Sequence, residues 1–258
     1  MLLGLENTVV LITGGSKGIG FACARLFSEE GALVVICSRS QENIDRALET
    51  LPGAVGFAAD VSSDADALNM IQHVERQFGK IDVLVNSAGA AKRTAPEDLT
   101  PATWRAAMDA KYFTYINVID PVIKLMAARK SGVVINIIGN GGKTASPIHL
   151  PGGAANAALM LATAGLATAY AEHGVRVVGI NPGFTETDRV TEGLKTDAKR
   201  NNLTEAEARD AAIKKIPMGR MATPEEVAQV TVFLASKQAS YVTGVNIGMD
   251  GAKTATVV

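Results

Sequence analysis

Short runs of Val, Ile and Leu recur along the chain at 8–13, 33–37, 81–85, 133–138 and 175–180, with weaker runs near 55–58 and 242–247. Between them, apolar positions follow helical spacing around 18–30, 41–49, 64–78, 102–128, 155–172 and 224–236. A strand that is apolar at every position must be covered on both faces, and helical crossovers are how parallel neighbours are joined. The pattern therefore predicts an α/β fold, one domain over 1–258, with a parallel sheet between two layers of helices. Helix punctuation agrees. Thr223-Pro224-Glu225-Glu226 supplies a capping hydroxyl, a proline at the first helical position and acids in the first turn. The stretch 188–216, between the Asn181-Pro182-Gly183 turn and Pro217, is rich in Asp, Glu, Lys, Arg and Asn. It is expected to be the least ordered part, either a substrate lid or a solvated surface helix.

Composition narrows the function classes. At 258 residues and 47% hydrophobic content, the chain can bury a sizeable core. A formal net charge of -1 leaves no electrostatic footprint for nucleic acid or an anionic membrane. Cys23 and Cys37 lie in apolar runs and read as reduced core thiols, which suits a cytoplasmic setting. Met1-Leu2-Leu3-Gly4-Leu5 is too short and lacks the basic flank of a signal peptide. No residue from Gly152 to Ala171 is charged, which approaches the length of a membrane span. Its Ala, Gly and Thr content, with Asn156 inside, favours instead a helix buried between the core and a second subunit. A homodimer or homotetramer is the expected assembly.

The chemistry begins after the first strand, with Thr13-Gly14-Gly15-Ser16-Lys17-Gly18-Ile19-Gly20. Glycines let a backbone turn tightly and approach a pyrophosphate, whose charge a helix N-terminus then favours. A lone glycine pattern is weak; this one has its strand and its helix. Gly14, Ser16, Lys17, Gly18, Ile19 and Gly20 are thus candidate cofactor contacts. The second strand ends at Cys37-Ser38-Arg39, without an acid for a ribose hydroxyl. Lys17 and Arg39 place positive charge where a 2′-phosphate would lie, which points to NADP(H), with NADPH preferred over NADH. The alternative is that both are merely solvated cations.

These residues carry a family resemblance. The chain resembles the short-chain dehydrogenase/reductases over nearly its whole length, through the glycine loop, Asp60-Val61, Asn86-Ser87-Ala88-Gly89, Asn181-Pro182-Gly183 with Thr187, and Val242-Thr243-Gly244 with Asp250-Gly251. The resemblance implies a Rossmann-like, doubly wound sheet of about seven parallel strands, usually in a tetramer. It implies adenine contacts for Asp60 and Val61, and ribose contacts for Asn86, Ser87, Ala88 and Gly89. Pro182, Gly183, Phe184, Thr185 and Thr187 would hold the nicotinamide end. Ala252 departs from the family's usual second glycine.

In that family a Tyr and a Lys four residues later act with a Ser and an Asn. The family's spacing from Trp104 and Met126 puts the Asn at Lys111, and spacing from Asn136 puts the Ser at Gly139. Spacing from Pro147 puts the Tyr at Gly152, followed by Asn156 at the Lys position, with Pro182 at the distance expected without a gap. Neither glycine can give a proton to a carbonyl oxygen. Tyr170 and Tyr241 lack a following Lys, and Tyr112 and Tyr115 precede the required strand. The Asn and Lys look exchanged. Lys111 could bring a cation into the site, close to Asn156, or point to solvent from a helix. His149 and Lys143, on the loop before Gly152, are further candidate acids, or simply exposed. No metal-ligand cluster and no nucleophile–base pair can be read.

Three functions remain open. One is an NADP(H)-dependent oxidoreductase on a carbonyl or alcohol of a small-molecule substrate, with a non-standard proton donor. The others are a catalytically silent dinucleotide-binding subunit or sensor, and a lyase or isomerase in the same pocket.

Overall fold

Strands β1 (Val9–Thr13), β2 (Leu33–Ser38), β3 (Val55–Ala58), β4 (Val83–Asn86), β5 (Gly132–Ile137), β6 (Val175–Pro182) and β7 (Asn246–Met249) form one sheet in a computed structural model describing residues 2–89 and 91–255. Their order is β3-β2-β1-β4-β5-β6-β7, and every pair is parallel. This is the Rossmann-like doubly wound fold. The helices are α1 (Gly18–Glu29), α2 (Gln41–Leu48), α3 (Asp64–Phe78), α4 (Pro101–Ala107), α5 (Thr114–Ala128), α6 (Leu150–Tyr170), α7 (Asp188–Asn201), α8 (Glu205–Ile213) and α9 (Pro224–Ala235).

The apolar runs behave as burial demands. All five residues of β1 are buried; Val10 and Ile12 face a core layer with Phe27 of α1 and Val227 and Val232 of α9. Val9 and Leu11 face the opposite layer, with Ile71 of α3 and Tyr115, Ile119 and Ile123 of α5. Each such side chain contributes about 1.5–3 kcal/mol of transfer free energy. The chain winds outward from β1 to β3, then returns to β4 on the other side. The crevice at the carboxyl ends of β1 and β4 is therefore the place for a ligand.

Four boundaries differ from the sequence pattern. The last strand is Asn246–Met249 instead of 242–247, because Gly244 (φ +74°) belongs to a preceding turn. The uncharged helix starts earlier, at Leu150, with Pro151 in its first turn, where a missing N–H costs nothing. The helix expected at 102–128 is broken by a π-helical turn over Met108–Phe113, of the kind often found at functional sites. The stretch 188–216, expected to be the least ordered part, takes the helical alternative: it forms α7 and α8, capped by Thr187 and by a Thr204–Glu207 capping box. Leu194, Ala212, Ile216 and Met221 give it a small core of its own.

By length and composition, Pro147–His173 is long and apolar enough to cross a membrane. It lies on the sheet, burying Ala155, Asn156, Leu159, Thr163 and Ala167, while Leu161 on its outer side is 77% exposed.

Candidate functional site

The crevice is organised by polar side chains that the register aligns. Thr13, Asn86 and Asn136 are direct neighbours across β1, β4 and β5. The Thr13 hydroxyl donates to Asn86, whose amide donates to Asn136 Oδ1 (3.0 Å), and the Asn136 amide donates to Thr163 Oγ1 of α6 (3.0 Å). Thr13 Oγ1 also accepts the N–H groups of Ser87 and Ala88, fixing the turn that leads to Gly89.

The dinucleotide candidates fall along this edge. Gly20 must be glycine, since a Cβ there would stand 2.2 Å from the Gly14 carbonyl oxygen. Ser16 and Ile19 lie in the same loop and first turn. Helices α2, α3, α4, α7, α8 and α9 each begin under a Ser or Thr cap, but Lys17 gives α1 none. The first-turn N–H groups of α1 are thus left for a phosphate. Lys17 and Arg39 are exposed and have no ion-pair partner among the described residues. Hydrogen bonds from the Ser62 hydroxyl and N–H hold the Asp60 carboxyl below its ordinary pKa, and the charge of Arg39 lowers it further. Arg39 therefore lies near Asp60. Val61 is buried beside it.

At the far end, Pro182 ends β6, and Gly183 and Phe184 lead into Thr185, which bridges to Ala222. Both amide atoms of Asn181 and the hydroxyl of Thr185 are buried without a partner among the described residues. Thr187 caps α7 and approaches Gly18 of the glycine loop. Unsatisfied buried groups of this kind suit an amide-bearing ligand such as a nicotinamide.

Lys111 does not point to solvent. It sits in the π-helical turn, 7% exposed, and Nζ donates to the Tyr115 hydroxyl (2.7 Å) and to the carbonyl oxygen of Ile137 (3.3 Å). The Tyr115 hydroxyl donates to that same carbonyl. An ammonium has three N–H donors, so one remains without a protein partner among the described residues. Burial pulls the Lys111 pKa from 10.5 to about 7, and the nearby charge of Arg189 contributes. Tyr115, which sequence order had set aside, is therefore the lysine's immediate partner. Its fourth-residue spacing from Lys111 was the available signal.

Asn156 is 6% exposed, and its side chain makes no hydrogen bond to protein among the described residues. Among the described residues no direct hydrogen bond joins it to Lys111, where the Asn/Lys exchange suggested only that the two lie close. Gly139 has φ +113°, a conformation reserved for glycine, and a Cβ there would stand 3.5 Å from Asn156 Nδ2. His149 is partly buried, with Nδ1 enclosed and without a partner among the described residues. A Cβ on Gly152 would lie 2.2 Å from His149 Cε1, so the imidazole occupies the start of any side chain at that position. Burial first, then the charges of Arg93, Arg189 and Lys111, lower the His149 pKa and keep the ring neutral near pH 7. Lys143 Nζ donates to the Asn246 carbonyl, at the edge of β7 (3.2 Å). Arg189, exposed in the first turn of α7 and bonded to the Gly89 carbonyl, was missed because the whole stretch reads as solvated charge.

A family model described as enoyl-(acyl carrier protein) reductase matches residues 14–253. The chain is 36% identical to a 3-oxoacyl-(acyl-carrier-protein) reductase of Thermotoga maritima over 251 residues, covering 96% of this chain and 98% of the relative. It is 30% identical to an NADPH-dependent reductase of Bacillus subtilis, over 96% and 98% of the two chains. Among solved structures it is similar to L-sorbose reductase from Gluconobacter frateurii, complexed with NADPH and L-sorbose. That match has 27% identity, a TM-score of 0.93 and 100% coverage of both chains.

Two predictions follow from this geometry. Above about pH 7 the folded protein holds Lys111 neutral, whereas the unfolded chain keeps it protonated up to about 10.5. Between those limits the unfolded chain binds the extra proton, so stability rises with pH by about 1 kcal/mol per unit. The stability gap between the parent and Lys111→Met should therefore change with that slope from pH 7 to pH 10 in urea unfolding. A gap that is flat with pH would mean an ordinary lysine. Separately, Gly152→Ala should cost about 1–3 kcal/mol by displacing the His149 ring. In a His149→Ala background most of that cost should vanish; an undiminished cost would place the clash elsewhere.

Proposed function

The chain belongs to the short-chain dehydrogenase/reductase family, and on that premise we propose that it is an NADPH-dependent oxidoreductase acting on a small carbonyl or alcohol, with Lys111 as proton donor. In this reading Gly139, Gly152, Asn156 and Lys111 stand where the family has Ser, Tyr, Lys and Asn. The observation that carries the proposal is the buried Lys111 ammonium. It is held from below by Tyr115 and Ile137, has one N–H free, and has a pKa of about 7. A general acid is most effective when its pKa lies near the working pH.

When bound, the cofactor supplies the hydride. Lys111 gives its free proton to the carbonyl oxygen as negative charge develops there, and the Tyr115 hydroxyl fixes the direction of Nζ. Asn156, whose amide oxygen and nitrogen have no hydrogen-bond partner among the described residues, would hold the nicotinamide ribose. The uncapped end of α1, with Gly14 to Gly20, would hold the pyrophosphate, Asn86 to Gly89 would flank the ribose, and Pro182 to Thr187 would fix the carboxamide. The helices α7 and α8 would cover the substrate. The relatives' NADPH-dependent chemistry and the Lys17–Arg39 pair both support NADPH over NADH.

Fluorescence titration should give tighter binding of NADPH than NADH, by about tenfold or more, with most of that preference lost in Arg39→Ala. Equal affinities in the parent protein would overturn the cofactor assignment. The proton donor is tested by the pH profile of carbonyl reduction. Because the reactive form is the ammonium, kcat/KM should fall as pH rises through about 7. Lys111→Met should lose roughly two orders of magnitude or more. Turnover unaffected by Lys111→Met would remove the lysine from the mechanism. NADPH binding with no turnover of any carbonyl compound would favour the silent binding subunit.

A further inference from the structure

Arg189 lies at the mouth of the site described above. Its Nη2 donates to the carbonyl oxygen of Gly89 (3.4 Å), and it has no acidic partner among the described residues. Gly89 in turn rests on the turn that carries Lys111. A Cβ at Gly89 would stand 2.4 Å from the Ala110 carbonyl oxygen and 2.5 Å from Thr114 Oγ1, and that hydroxyl donates to the Lys111 carbonyl. The arginine is thereby brought over the lysine. Their charges act on each other and both act on His149.

Nothing among the described residues balances these cations. Asp197 is committed to Arg93 at 2.7 Å, and Asp250 accepts from the Asn140 amide and the Thr254 N–H. Two cations facing one crevice without a counter-ion disfavour each other, and a bound anion relieves both at once. A guanidinium presents paired N–H donors that match the two oxygens of a carboxylate.

We propose that the substrate is an oxo acid or hydroxy acid, with its carboxylate received by Arg189 while its carbonyl or alcohol faces Lys111. This rests on the oxidoreductase reading for the reaction, but the binding itself does not require turnover. A second anion could compete for Arg189, namely the pyrophosphate of the cofactor, since Thr187 abuts Gly18. The contact with Gly89, above Lys111, favours the substrate.

The test uses pyruvate, acetoacetate and levulinate, each beside its methyl ester, so that the paired ligands share a carbonyl and differ by one charge. Binding is measured by calorimetry to the protein saturated with NADP+, a complex that cannot reduce a ketone. At least one acid should bind about tenfold or more tighter than its ester. Arg189→Met should abolish that preference, Arg189→Lys should keep part of it, and the affinity for NADPH should change less than threefold, roughly within the scatter of exposed sites. Acids and esters binding alike in the parent would overturn the proposal. So would an Arg189→Met protein that loses NADPH affinity while keeping the acid preference, since Arg189 would then serve the pyrophosphate. Turnover with NADPH is scored separately. Selective acid binding without reduction would retain the carboxylate site and reject the oxidoreductase reading.

Discussion

The site depends first on one buried polar chain, Thr13–Asn86–Asn136–Thr163, which crosses three strands and ends on α6. Buried amides and hydroxyls are costly unless paired, so four of them in sequence tolerate little slippage. A one-residue shift of any strand would break the chain and turn that strand's side chains to the opposite layer. Through Thr13 the chain fixes the Ser87–Ala88 turn and hence Gly89. Through Thr163 it fixes the face of α6 that presents Asn156 and Gly152. The glycine loop, the Lys111 turn and the α6 surface are therefore set against one another by a single register.

Against that rigid frame, Lys111 is an uncompensated charge. Its shift from 10.5 to about 7 corresponds to a cost on the order of 5 kcal/mol for holding the ammonium in the fold at low pH. That is comparable with the whole stability of many domains. Tyr115 and Ile137 return only part of it, since both are neutral acceptors. A protein with no use for the cation would be more stable with a methionine there, which is why strongly shifted groups in a crevice are candidates for function.

The strands, the first three helices and the glycine loop were legible because burial on both faces and helix crossovers leave a simple periodic trace. The π-helical turn at Met108–Phe113 was not, as one extra residue in a helix barely disturbs apolar spacing over a long window. Nor were α7 and α8, whose caps at Thr187 and Thr204 lay inside a stretch judged by its charge. Lys111, His149 and Asn156 were found as positions, but their partners were not. That Tyr115 holds Lys111, that the His149 ring fills the space above Gly152, and that Arg189 bonds to the Gly89 carbonyl are side-chain contacts, and the last joins segments a hundred residues apart. The four-residue step from Lys111 to Tyr115 and the three-residue step from His149 to Gly152 were local signals; no local spacing encodes the contact of Arg189.

The glycines bear on whether this site is a remnant or a different device. Simple loss of a side chain leaves the surrounding shape as it was, with a cavity where the side chain had been. Here the backbone at Gly139 has φ +113°, which a serine would adopt only under strain, and the volume above Gly152 is taken by an imidazole. Restoring a tyrosine at position 152 would therefore first require His149 to leave. The crevice is refitted around a buried lysine and a partly buried histidine, with an exposed arginine beside them that has no acidic partner among the described residues. Relaxed packing would be expected to shed a buried ammonium such as that of Lys111, because it costs stability and its neutral partners return only part of that cost. A ligand that brings negative charge would offset the cost of Lys111 and would at the same time pair the exposed arginine.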